Sequence, residues 1–170
     1  MGFTSRLLRE KWETPVFTGH GATLQNVRDF NVNVNAFEFE AMLRNTSTPE
    51  ECVCRRAIVY LLTSEMAIIV PLSTKGCSSE LSLLTTNGWK LGKENDLSGF
   101  GCDFNSFQHL ECQVKDRRLK ILLHNKLILD TSEQQTIGAI IGIRIGFEGA
   151  GEIRDIRLDS HGMPIYQESF

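Results

Sequence analysis

The sequence predicts an all-β chain folded as a two-sheet antiparallel sandwich of jelly-roll architecture. Three observations carry that reading. Apolar and polar residues alternate with period two in several short segments, the pattern of strands with one face buried. Turn-forming residues separate those segments at short intervals, and no helical periodicity lies between them, which argues against parallel βαβ architecture. The length of 170 residues suits one core that buries roughly two-thirds of the unfolded surface. One domain is therefore expected, with residues 1–27 as a lead-in and first edge strand and 28–170 as the sandwich proper.

Taken in order, Phe30, Val32 and Val34 alternate with asparagines and predict a half-buried strand. The phase then changes: Phe37, Phe39, Ala41 and Leu43 form an inward set against Glu38, Glu40 and Met42. A slip of one residue would turn the apolar set outward, so a bend or bulge is expected near Asn35 and Ala36. A loop with Pro49 follows. The apolar runs 54–62 and 66–72, with Thr63, Ser64 and Glu65 between them, predict a hairpin buried on both sides. Residues 108–115 alternate again, with Leu110, Cys112 and Val114 on one face and His109, Glu111, Gln113 and Lys115 on the other. Turns at 116–118 and at Asn125-Lys126 lead into strands 119–124 and 127–130, because asparagine tolerates positive φ.

Ile141, Ile143, Ile145 and Phe147 alternate with Gly142, Arg144 and Gly146, predicting a central strand. The glycine spacing of four resembles a membrane packing motif, but the segment is too short and carries Arg144. A turn at 149–151 returns the chain through 152–158, and 165–170 closes the sheet. The only helical candidate is the short stretch 5–12. The expected core comprises Val32, Phe37, Phe39, Val59, Leu61, Leu110, Val114, Ile121, Ile143, Ile145 and Phe147.

Composition narrows function mainly by exclusion. A net charge of −3 with dispersed basic residues gives no coherent positive surface to displace counterions from phosphates, so no nucleic acid is expected as partner. No run of about 18 apolar residues exists to enter a bilayer. No metal is expected either, since Cys52 and Cys54 lack both the C-x-x-C spacing and a second ligand pair. No cofactor is implied, because Gly19-His20-Gly21 and Gly99-Phe100-Gly101 lack the strand-to-helix setting of a phosphate cradle.

Five cysteines fit disulfides better, with one thiol left over. With a hairpin turning at Ser64, Cys54 lies opposite about residue 74, so Cys77 falls within reach of it. Cys54 with Cys77 is the first expected bridge and Cys102 with Cys112 the second, leaving Cys52 free. Bridges of this kind belong to an oxidising, extracytoplasmic compartment.

No catalytic pair is expected. Glu38 and Glu40 lie two apart on one strand and share a face, and a glycosidase needs two carboxylates, but they read as outward residues opposite buried phenylalanines. Glu94, Asp96 and Asp103 fall in a loop beside Lys93. None of His20, His109, His124 and His161 stands in a nucleophile motif such as G-x-S-x-G. A sugar-binding sheet face needs an aromatic platform with polar neighbours. Tyr60, His109, Glu111 and Arg144 meet that need if their strands place them on one face, with Trp89 at a loop edge.

The stretch 107–129, from Phe107 and His109 through the alternating strand to Asn125, resembles the central hairpins of concanavalin A-like domains of the laminin-G type, with Lys126 where those families carry glycine. Residues 140–158 resemble the closing strands of that fold, including related domains of sugar hydrolases. Residues 69–73 with Gly76-Cys77, 92–104 and 165–170 resemble uncharacterised extracytoplasmic domains of Bacteroidetes proteins that stand behind a membrane anchor. The resemblance covers about residues 28–170 and implies a concanavalin A-like sandwich in a periplasmic or cell-surface setting. Function divides three ways: a non-catalytic module binding a glycan or a cell-envelope protein, which is favoured; a saccharide hydrolase; or a structural spacer.

Overall fold

The computed structural model describes residues 16–18, 21–32, 36–132 and 137–169, with side chains placed from residue 36 onward. The strands in chain order are β1 (Val16–Thr18), β2 (Gly21–Val32), β3 (Ala36–Asn45), β4 (Ala57–Thr63), β5 (Ala67–Thr74), β6 (Ser82–Thr85), β7 (Gly88–Leu91) and β8 (Gly101–Cys102). They continue as β9 (Gln108–Lys115), β10 (Arg118–Leu123), β11 (Lys126–Ser132), β12 (Ile140–Glu148), β13 (Gly151–Ser160) and β14 (Met163–Glu168). The first sheet runs β1-β2-β12-β4-β5-β6-β7, with β8 parallel beside β5. The second runs β11-β10-β9-β3-β13-β14 and is antiparallel throughout.

Alternation decides which side chains meet between the sheets. Phe37, Phe39, Ala41 and Leu43 of β3 are buried together with Leu110 and Val114 of β9 and Ile121 of β10. Val59 and Leu61 of β4, Ile68 and Val70 of β5, and Ile143, Ile145 and Phe147 of β12 join them in one continuous core. Every expected core residue with a described side chain is in this set; Val32 lies where side chains are not described. Gly151 makes the close approach that seats Phe147, because a Cβ there would stand 2.2 Å from the phenyl ring. Asn45, 1% exposed, ties the sheets at one end. Its amide donates to the carbonyls of Arg56 and Glu148 at 2.9 and 2.7 Å, while its Oδ1 accepts from the Ser47 amide at 3.0 Å.

Four expectations are revised. The phase change falls between β2 in the first sheet and β3 in the second, so it marks a change of sheet; residues 33–35 and the helical candidate 5–12 lie outside the described residues. The β4–β5 hairpin is not buried on both sides: Ile58, Tyr60, Leu62 and Ile69 point outward and are half-buried. A register shift between Ile140 and Gly142 puts Ile140 in the core and leaves Ile141 partly exposed. The β10–β11 turn is His124-Asn125, one residue earlier than expected, with φ of 51° and 61°. Inward alternation stops at Leu123, and a primed two-residue turn takes the next two positions. β6 and β7 form a further hairpin, for which the sequence gives no expectation; it turns at Thr86-Asn87, and its four-residue strands are too short for a clear period.

Candidate functional site

The predicted constellation divides between opposite sides of the sandwich. Tyr60 and Arg144 are direct partners on β4 and β12, both on the outer face of the first sheet. His109 and Glu111 occupy the outer face of the second. A single face holding all four is therefore corrected: the strands that carry them belong to different sheets.

On the first sheet a cross-strand row runs Arg144, Tyr60, Ile69, Leu84 and Trp89. Trp89 is on edge strand β7, not in a loop, and is 57% exposed. The Arg144 guanidinium lies 5.5 Å from the Tyr60 ring centroid, a cation–π distance. This row is mostly apolar and offers few hydrogen-bonding groups.

The second sheet gathers polar groups. Glu38 is opposite Gln113 and Glu40 is opposite Glu111 on β3 and β9. On the other side of β3, Asp159 is opposite Glu38 and Arg157 opposite Glu40. Arg157 reaches this face because β13 shifts register between Arg154 and Arg157, where Asp155 adopts φ of 50°. An inserted bulge residue re-aims the side chains that follow it. Alternation alone, continued from Ile153, would have turned Arg157 inward.

Contacts across this face form a connected network. The imidazole of His109 stands 3.5 Å from a Glu40 oxygen and 3.5 Å from Glu111 Oε1. Gln113 donates to Glu38 at 2.8 Å. Arg157 Nε donates to Asp159 at 2.8 Å, and that bond, with the neighbouring charges of Glu40 and Glu38, holds the guanidinium above its usual range. Glu111 is 7% exposed, and among the described residues its Oε1 has no hydrogen-bond partner; the His109 ring lies beside it at 3.5 Å without a hydrogen bond. Toward the far end of β9 the face opens into a hollow of about 400 Å³ lined by Glu38, Gln113, Lys115, Asp159 and His161.

Glu38, Glu40, Gln113, Arg157 and Asp159 were not among the sequence-predicted ligand residues. The outward phase of the first three is legible in the alternation. Which strands lie side by side is not, and the bulge that brings Arg157 has no distinctive local signature. Phe107, at the opposite end of β9, is covered by the guanidinium groups of Arg44 and Arg154 at 4.9 and 4.2 Å and so offers no free aromatic platform.

Among the cysteines, Cys54 and Cys77 form a disulfide with Cα atoms 5.6 Å apart. The expected second bridge is absent: Cys102 and Cys112 are separate buried thiols, and Cys52 is free and half-buried. Cys102 is beside β5, in the first sheet, whereas Cys112 lies centrally in β9 of the second. Burial pushes both thiols up to about 12. Among the described residues no group of three or more His, Cys, Asp or Glu is placed to hold a metal ion, and no helix is long and apolar enough to cross a membrane.

No protein-family model and no curated protein sequence matches this chain. Among solved structures it is similar to the carbohydrate-binding module CBM66 from Bacillus subtilis, with a TM-score of 0.51 and 10% identity over 88% of this chain and 96% of that one. It is also similar to the exoplasmic/lumenal domain of VIP36 in its Ca2+/Man-bound form, with a TM-score of 0.51 and 12% identity over 94% and 89%. The fold is a two-sheet antiparallel jelly roll. In this sandwich the acceptor-rich network occupies the six-stranded sheet, and the Trp89 row lies on the other side.

Proposed function

We propose that the chain is a non-catalytic module that binds a neutral saccharide on the outer face of the six-stranded sheet, between His109 and the hollow at Glu38 and Asp159. The observation that carries this is Glu111, a nearly buried carboxylate with one unpartnered oxygen, set among Glu38, Glu40 and Asp159. Glu38 and Glu40 beside it are only half-buried, so their carboxylate oxygens are acceptors that a ligand hydroxyl reaches. A sugar presents several hydroxyl donors, and hydrogen bonds from them to carboxylates are charge-assisted. Binding is favoured over hydrolysis because Glu38 accepts from Gln113 and Asp159 from Arg157, so both carboxylates are held as hydrogen-bond acceptors in a fixed network. The CBM66 likeness is consistent with this reading, and the Cys54–Cys77 bridge supports an extracytoplasmic setting.

A glycan array probed with the parent, Glu111→Gln and Arg144→Ala tests the proposal. A neutral glycan retained by Arg144→Ala and lost by Glu111→Gln upholds it. An array without hits, a signal indifferent to Glu111→Gln, or cleavage of the bound glycan would each overturn it.

A further inference from the structure

At the end of β9 opposite the hollow, the loops after β5 and β7 and the β10–β11 turn enclose a cleft of about 760 Å³. That is the size range of small-molecule sites. It shares no lining residue with the hollow on the sheet face. From its charge and its fixed geometry we infer that this cleft is a second site, one that takes a sugar unit bearing a carboxylate or sulfate group.

Charge gives the first argument. Lys75 and Lys126 both line the cleft and both are exposed. Neither enters an ion pair among the described residues. The only acidic side chain in the lining is Asp103, one oxygen of which already accepts from the Asn105 amide at 3.0 Å. In a chain of net charge −3, a concave region with an excess of unpaired cations attracts anions against the sign of the whole molecule.

His124 gives the second. The Gln108 side-chain amide donates to the carbonyls of Asp103 and Ser106 at 2.6 and 2.9 Å, which leaves its Oε1 facing His124 Nε2 at 2.9 Å. An amide oxygen only accepts, so Nε2 carries the hydrogen and the contact sets the orientation of the ring. Gln108 is 3% exposed. One buried amide therefore fixes the 103–106 loop and the imidazole together.

The walls are also set in advance. Gly76 and Ser78 flank Cys77, whose bridge to Cys54 pins this rim to the start of β4. Across the cleft the backbone of Gly99 packs so closely that a Cβ there would stand 3.2 Å from Ile128. Cys102 in the lining donates to the Ser73 carbonyl at 3.4 Å, and its raised pKa keeps it a neutral thiol. A site whose shape is fixed before binding spends less of its interaction energy on ordering.

The test is a titration at low ionic strength with glucuronic acid, glucose 6-sulfate and glucose, followed by the backbone amide shifts of Gly99, Gly101 and Lys126. Saturable shifts with either anion and none with glucose are expected. Lys75→Gln/Lys126→Gln should weaken the response about tenfold or more while melting like the parent, as exposed charges allow. Glu111→Gln should leave this response intact, which separates it from binding on the sheet face. A response to one anion alone upholds the site and identifies its group. Equal shifts with glucose, no shift with either anion, or an unchanged response in the double variant overturns it.

Discussion

Glu40 and Glu111 stand directly opposite one another on β3 and β9, and the His109 imidazole lies 3.5 Å from an oxygen of each. Like charges facing across a strand pair are destabilising, so this pair opposes the stability of the sheet that carries it. Glu111→Gln, which keeps the shape and removes the charge, is expected to melt at or above the parent, by up to roughly 1 kcal/mol. A clear loss of stability in thermal unfolding would show that the carboxylate is structural.

Native alkylation followed by peptide mapping should separate the five cysteines into three classes. Cys52 labels in the folded protein, Cys102 and Cys112 label only after denaturation, and Cys54 and Cys77 label only after reduction. The bridge closes a sequence separation of 23, so Cys54→Ala/Cys77→Ala should lose roughly 3 kcal/mol in urea unfolding. Free labelling of Cys54 and Cys77 in oxidised material would remove the bridge.

Arg56 donates to both oxygens of Glu148 at 2.9 and 3.3 Å, and this holds the Glu148 carboxyl below its ordinary value of 4.5. The ionised form is favoured in the folded state, so its contribution is present above the ordinary carboxylate range and is lost as pH falls through the depressed folded value. Both partners are about a third exposed, which limits the gain at neutral pH to about 1 kcal/mol or less. Urea midpoints taken from about pH 6 to about pH 3 should fall less steeply in Glu148→Gln than in the parent. Equal slopes would assign the acid sensitivity elsewhere.

Phe39 is fully buried at the centre of the six-stranded sheet. Truncation to alanine should cost about 3 to 5 kcal/mol, read as a lower denaturant midpoint. A variant that unfolds like the parent would contradict the shared inner face.

The core and the site differ in how far they can be read from the sequence. Phe37, Phe39, Leu110 and Val114 are found inside because period two is local and each strand carries it unaided. Cys54 and Cys77 were equally accessible, since a short hairpin fixes which residues return beside one another. Tyr60 and His109 have the same local pattern, yet they project from different sheets, and alternation does not say which sheet a strand joins. Arg157 was hidden for another reason: a single bulged residue, Asp155, changes the face of everything after it. The missing Cys102–Cys112 bridge follows from the same limit, because a separation of ten in the sequence says nothing about which sheet each sulfur enters.

The sheets are closed by strands drawn from distant parts of the chain. β12 inserts between β2 and β4, and β13 pairs with β3, where Ser160 Oγ donates to the Ala36 carbonyl 124 residues away. Contacts of such sequence separation must offset loop-closure entropy before they stabilise anything, which slows folding. A nascent chain that has reached only residue 139 has β3 without its β13 partner, and β2 and β4 without the strand that joins them. Folding therefore waits for residues 140–168, which carry β12, β13 and β14, and until they emerge those open edges are exposed to wrong pairing.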